Sequence, residues 1–250
     1  MIPIALGLFS VRHALEQDMP GTLAAVRALG YTGVEFFGAF THPAKEVAAA
    51  LKAAGLRCCG WHTPFDALGA DQLEATIAYH QEIDNPYMVV PGFPAENTAT
   101  IADWQRTAEA MNTIAAKLPA GIKTGYHNHN TEFKRLESKI PWDVFWEMAD
   151  PALIMQLDLG NALYGGADVV EIMRKYPKRG DTLHIKPYSK SDGFDTMIGK
   201  DDIPWDTFFA EAESQNVTQW YIVEYESEVL YTPMDGVRRT FEAMKKLGKA

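Results

Sequence analysis

The sequence has only two cysteines in 250 residues, and these are adjacent, Cys58 and Cys59. Neighbours along a strand point to opposite faces, and neither sulfur has another partner. A disulfide framework is therefore excluded, and a reducing, cytoplasmic setting is expected. No run of 18 apolar residues occurs, so no transmembrane helix and no membrane partner are expected. The short apolar segment from Ile2 to Phe9 has no basic region before it, which argues against a secretory signal. Positive charge is in deficit, with 23 Lys and Arg against 33 Asp and Glu and a net charge of −10. Such a chain repels polyphosphate, so nucleic acid is not an expected partner. Neither a G-x-G-x-x-G fingerprint nor a P-loop is present, which weakens a doubly wound nucleotide-binding sheet. With no arginine cluster or phosphate cradle, an unphosphorylated substrate is favoured.

The main positive signal is alternation. Short apolar or β-branched runs begin at residues 4, 33, 57, 87, 122, 154, 182 and 220, with gaps of 29, 24, 30, 35, 32, 28 and 38 residues. A βα unit needs roughly 30 residues, so this spacing suits eight repeated units. The segments between them read as helices: Pro20–Leu29, Pro43–Ala54, Asn97–Leu118, Trp142–Met148, Asp168–Tyr176, Trp205–Gln215 and Asp235–Leu247. Several end at Gly, Asn or Pro, the residues expected after a helix. No low-complexity tract or linker interrupts the pattern. The expected architecture is a single α/β domain spanning residues 1–250, a (β/α)8 TIM barrel. At about 31 residues per unit it would be a minimal one, whose short loops suit a small substrate or help from a neighbouring subunit.

Barrel chemistry sits at the C-terminal ends of the strands. There the runs carry Glu35, His62, His127 and His129, Asp158, His184 and Lys186, and Glu224 and Glu226. Period-two alternation places Glu224, His184, Lys186 and Asp158 inward, and puts His127 and His129 on one face. Charges inside a barrel are costly unless paired or bound to metal, and a divalent cation among carboxylates and imidazoles meets that condition. Taken singly, Glu35 reads equally well as a loop cap or ion-pair partner, and His62 as a hydrogen-bonded core histidine. His129 and Glu226 read better as supporting residues. Asp158, His184 and Glu224 carry weight because they coincide.

With these residues the chain resembles the sugar phosphate isomerase/epimerase family of xylose-isomerase-like barrels. The likeness rests on Gly7-Leu-Phe-Ser10-Val-Arg12, Leu29-Gly-Tyr31-Thr-Gly-Val-Glu35-Phe and His127-Asn-His-Asn-Thr-Glu-Phe133. It continues through Leu157-Asp158-Leu-Gly-Asn161 and His184-Ile-Lys186. The resemblance implies one divalent metal held by Asp158, His184 and Glu224. The family's fourth ligand, a strand-five glutamate, is here replaced by His127, which is taken as the fourth. An imidazole there favours Mn, Fe, Co or Zn over Mg. Where many epimerases carry a histidine three residues after the aspartate, this chain has Asn161.

The implied activity is a metal-dependent isomerase or epimerase of a sugar or keto-sugar derivative, through α-proton abstraction and a metal-stabilised enediolate. Glu224 is the expected base, His62 or His127 a proton donor or shuttle, and Lys186 a stabiliser of the developing oxyanion. Glu35, Trp61, His129 and Asn161 are expected to contact the substrate. Only one of the two proton-transfer glutamates of the ketose epimerases is kept, so one-base isomerisation fits better than symmetrical epimerisation. The competing reading is a lyase or hydratase on a keto-sugar or keto-inositol at the same metal site. A non-catalytic sugar-binding barrel and an endonuclease IV-like phosphodiesterase are the other classes, and the net charge of −10 argues against the latter. A homo-oligomer is common in the family.

Overall fold

The computed structural model describes residues 1–250. Eight strands form one sheet: β1 (Ile4–Gly7), β2 (Gly33–Phe37), β3 (Arg57–His62), β4 (Tyr87–Val90), β5 (Lys123–His127), β6 (Ile154–Gln156), β7 (Thr182–Ile185) and β8 (Trp220–Val223). The order is β6-β5-β4-β3-β2-β1-β8-β7, and every hydrogen-bonded pair is parallel. The two outer strands meet across a short seam. There Asp158 bridges His184, and the His184 N–H donates to Leu157 O at 2.9 Å. The result is the nearly closed (β/α)8 barrel expected from the spacing. No helix is long and apolar enough to cross a membrane.

Local chemistry explains the helix ends. The Asp18 carboxylate accepts from the Gly21 N–H to start Met19–Leu29, which stops where Gly30 turns left-handed at φ 113°. Thr100 and Asp103 form a reciprocal capping box. That box starts the helix at Ile101, so Ile101–Ala115 is shorter than the expected Asn97–Leu118. Three helices were not expected from the pattern: Arg12–Gln17, Leu73–Glu82 and Leu159–Tyr164. In Leu73–Glu82 the buried positions are Leu73, Thr76 and His80, so two of the three are polar and no apolar stripe announces the helix.

The runs taken as strands are longer than the strands themselves. The run at 154–160 breaks at Gln156, and Asp158 becomes the N-cap of Leu159–Tyr164, its carboxylate accepting from the Asn161 N–H at 2.7 Å. Likewise β5 ends at His127 and leaves His129 in the following loop. The Asp158 carboxylate thus satisfies a backbone N–H at the start of the helix Leu159–Tyr164, which fixes it at the barrel mouth.

Inside the barrel, Ala5, Cys59, Tyr87, Val89, Ile154, Trp220 and Ile222 form an apolar floor below the mouth. Outside, Leu6, Val34, Met88, Tyr126, Met155, Leu183 and Val223 face the helices as part of the main core. The pairing of β2 with β3 shifts register after Val34, so that Gly60 faces Glu35. This shift reverses the alternation on β3. Cys59 joins the barrel interior while Cys58 packs in the outer core, and both thiols are free. Beyond the shift, Trp61 turns outward and His62 inward.

Gly125 is required by a close approach. A Cβ there would lie 2.1 Å from the Ile154 carbonyl oxygen on β6. Gly125→Ala is expected to destabilise the protein by about 1–3 kcal/mol, read as a lower urea midpoint; an unchanged midpoint would contradict the tight β5–β6 contact. His80, fully buried behind β3, accepts from Asn85 Nδ2 at 2.8 Å and lies 3.4 Å from Thr63 Oγ1. Burial pushes its pKa down to about 3. An unfolded chain takes up this proton near pH ~6.5, so the native state loses stability as pH falls from there toward 3. Against His80→Gln, the wild type should therefore lose stability faster below that pH, by up to about 1.4 kcal/mol per pH unit. Equal slopes in paired denaturation curves would remove His80 from the acid response.

Candidate active site

The strand ends deliver a compact set of ionisable side chains to one chamber of about 210 Å³. Glu35, His62, His127, His129, Asn161, His184, Lys186, Glu224 and Glu226 line it, with Leu8, Phe9, Phe37 and Pro91 as apolar wall. Larger clefts of about 780 and 550 Å³ lie beside it, but of these polar residues they contain only Glu226. The chamber, not the larger clefts, therefore gathers the ionisable side chains.

Its lower layer is a closed hydrogen-bond network. His184 Nε2 lies 2.6 Å from Glu35 Oε2, and His62 Nε2 lies 3.2 Å from the same oxygen. Gln156 donates from Nε2 to Glu35 Oε1 at 2.7 Å and to Thr182 Oγ1 at 2.9 Å. Its Oε1 lies 2.7 Å from His62 Nε2 and 3.0 Å from His127 Nδ1. Gln156 is the residue that sequence reasoning missed. Its position two residues before Asp158 on the same strand face was the available clue. Room for Glu35 comes from Gly60, where a Cβ would stand 2.4 Å from the carboxylate.

The upper layer faces the opening. His184 Nδ1 lies 2.7 Å from Glu224 Oε2, so this imidazole sits between two carboxylates. Burial would lower its pKa, but Glu35 and Glu224 raise it to about 10. Lys186 Nζ is 2.6 Å from Glu226, 3.7 Å from Glu224 and 3.9 Å from Asp158. Burial opposes charge on Glu224, yet Lys186 and His184 hold it well below the usual carboxylate range. Asp158 is raised to about 6, chiefly by burial. Its Oδ2 is buried without a hydrogen-bond partner.

Two groups of side chains are close enough to share a cation: His62, His127 and His184, and Asp158, His184 and Glu224. In the first, a nitrogen of each ring is tied to Gln156 or Glu35. In the second, the orphaned Asp158 Oδ2 has His127 Nε2 at 3.8 Å and His184 Nδ1 at 4.0 Å. A buried carboxylate oxygen without a partner is costly, and a divalent cation satisfies it. The second group, with His127 beside it, fits a metal better.

Trp61, expected on the substrate, lies elsewhere. It is 3% exposed, stacks on Phe36 at 4.7 Å and donates from Nε1 to Gly38 O. Outward rotation after the β2–β3 register shift places it in the packing layer, not in the chamber. Of the other expected contacts, Glu35 lies deep in the network, whereas His129 and Asn161 line the chamber.

A family model described as xylose isomerase-like TIM barrel matches residues 23–247. The chain belongs to that family. Among curated members, the inosose dehydratase of Clostridium perfringens is 25% identical over 160 residues, covering 56% of this chain and 53% of that protein. An inosose dehydratase of Geobacillus kaustophilus is 27% identical over 157 residues, covering 54% and 50%. The chain thus spans about half the length of the curated relatives it matches. Among solved structures, a sugar phosphate isomerase/epimerase of Parabacteroides distasonis is 26% identical with a TM-score of 0.81, covering 98% of this chain and 93% of that one. A second from the same organism reaches a TM-score of 0.84 at 22% identity, with 98% of each chain covered. The likeness in fold to these two structures thus extends over nearly the whole chain.

Proposed function

We propose that the chain is a divalent-metal-dependent isomerase or epimerase of a sugar or keto-sugar derivative, acting by removal of the proton next to a carbonyl. The observation that carries this reading is the orphaned Asp158 oxygen among His127, His184 and Glu224 at the barrel mouth. Those four residues would hold the cation. When bound, it supplies Lewis acidity to the carbonyl and the adjacent hydroxyl of the substrate.

The chain's own residues do the rest. Glu224 faces the chamber between Lys186 and His184, a position from which a carboxylate can take the substrate proton. Lys186 places a cation 3.7 Å from Glu224, beside the position where negative charge develops on oxygen. His62 is less buried than the other inward histidines and reaches the chamber, where it suits proton return. Asn161 and His129 offer polar contacts to hydroxyl groups, while Leu8, Phe9, Phe37 and Pro91 limit water. A chamber of about 210 Å³ is small for a ligand site, which favours a small sugar.

Elimination is the second reading, and two observations favour it. The curated relatives are named inosose dehydratases. His127 also ends β5, where the resemblance to ketose epimerases implies the second glutamate of a symmetrical two-base epimerisation. In that case the proton leaves the carbon next to the carbonyl, hydroxide leaves the next carbon, and the two depart as water. Incubation with a panel of keto-sugars and an inosose in D₂O separates the readings. Isomerisation returns product of the same formula carrying deuterium; elimination returns an unsaturated product lacking the elements of water.

Mn²⁺ or Zn²⁺ is expected to raise the melting temperature, since a ligand at 100 times its Kd stabilises by about 2.7 kcal/mol. Asp158→Asn is expected to abolish that shift while the metal-free protein stays folded. A full shift in the variant would place the metal elsewhere. Glu224→Gln is expected to lower turnover by about 10²–10⁴-fold, and near-normal turnover would reject Glu224 as base.

A further inference from the structure

We infer that Gln156 sets the tautomer of His127, holding the proton on Nδ1 and leaving the Nε2 lone pair aimed at Asp158. An ionised carboxylate only accepts hydrogen bonds, so the Gln156 atom 2.7 Å from Glu35 Oε1 must be the amide nitrogen. Turning the amide over would press two acceptors together. Its orientation therefore follows from chemistry, independently of how oxygen and nitrogen are distinguished.

Once the nitrogen is committed to Glu35 and Thr182, the carbonyl oxygen is committed to the two imidazoles. A carbonyl oxygen only accepts. Both His62 Nε2, at 2.7 Å, and His127 Nδ1, at 3.0 Å, must therefore donate. A neutral imidazole carries one proton. His127 is buried, and its Nε2 has no acceptor within hydrogen-bonding distance, so a second proton there would be left unpaired inside the barrel. Its Nε2 then has no hydrogen, and it stands 3.8 Å from the unpartnered Asp158 Oδ2. Two acceptors face each other with nothing to share between them, a pairing that a cation resolves and a proton on Nε2 would block.

The same logic withdraws His62 Nε2 from ligation, because its lone-pair position is taken by a proton shared with Gln156 and Glu35, and it lets His184 Nδ1 ligate only once the proton it shares with Glu224 has left. Gln156 is thus a positioning residue: it touches neither cation nor substrate, and acts through the histidines. The tautomer assignment stands on hydrogen bonding alone, whereas its consequence for metal affinity rests on the proposed metal site.

Nitrogen-15 NMR of ring-labelled histidine in the metal-free wild type reads the tautomer directly, with the His127 signals identified by their loss in His127→Gln. The expected spectrum shows a protonated Nδ1 and an unprotonated Nε2. A protonated Nε2 would overturn the inference. Gln156→Leu removes the acceptor, and metal affinity is then measured by competition with a chromogenic chelator, using Zn²⁺ and Mn²⁺. Loss of a partner that orients a ligating histidine costs about 10–100-fold in affinity, and that weakening is expected here. Unchanged affinity in a folded Gln156→Leu protein would also overturn it. If that variant does not fold, the wild-type spectrum decides alone. A wild type that has the expected tautomer but binds neither metal supports the role of Gln156 and defeats the metal reading instead.

Discussion

The Glu35–His184 pair, buried at 2.6 Å, is the contact on which the site depends. Glu35 is 2% exposed and His184 1%, so neither charge is tolerable alone. Their pairing fixes one face of the imidazole and leaves the other for Glu224. It also fixes one carboxylate oxygen of Glu35, and the other oxygen holds Gln156. From this contact between β2 and β7 the network spreads to β3, β5, β6 and the end of β8, so six strand ends cannot shift independently of one another. Local geometry defends it: Gly60 leaves space for the Glu35 carboxylate, and the β2–β3 register shift brings Gly60 opposite.

A parallel barrel supplies what such a network needs. Its apolar floor, with Trp220, Tyr87 and Ile154, closes the interior from below. The low dielectric under the mouth makes each ion pair stronger and each orphaned atom more costly. The seam between β6 and β7 carries only one bridge, and it falls at Asp158 and His184. The least hydrogen-bonded part of the sheet thus coincides with the residues read as metal ligands. Coordination there would tie together two strand ends that the backbone joins only weakly.

The barrel was legible because its evidence is additive: eight spaced apolar runs outweigh any single ambiguous helix. The inward placement of His184, Lys186, Glu224 and Asp158 was legible for a related reason, since strand alternation is a strict period. Legibility failed where that period breaks. On β3 the register shift turned Trp61 out of the chamber, and nothing in Cys58-Cys59-Gly60 announces a bulge except the glycine. Leu73–Glu82 went unseen because its buried face includes Thr76 and His80. Gln156 was passed over because an uncharged amide does not stand out among carboxylates and imidazoles. Its importance lies in whom it touches, which a residue type does not disclose.

The histidine at position 127 becomes intelligible in this light. A glutamate there, as the resemblance to xylose-isomerase-like barrels implies for that family, would meet the Gln156 carbonyl oxygen as one acceptor meeting another. Gln156 cannot turn its amide over to help, because Glu35 already requires the nitrogen. An imidazole solves both demands: it donates from Nδ1 below and presents a lone pair from Nε2 above. His127, Gln156 and Glu35 therefore constrain one another, and the departure at one position is bound to the identities of the other two. Exchanging residue 127 alone for glutamate would bury a second anion on an acceptor; restoring glutamate requires a donor at 156 as well. The chemistry at the mouth is to that extent decided one layer below it, by which atoms in the barrel interior are obliged to donate.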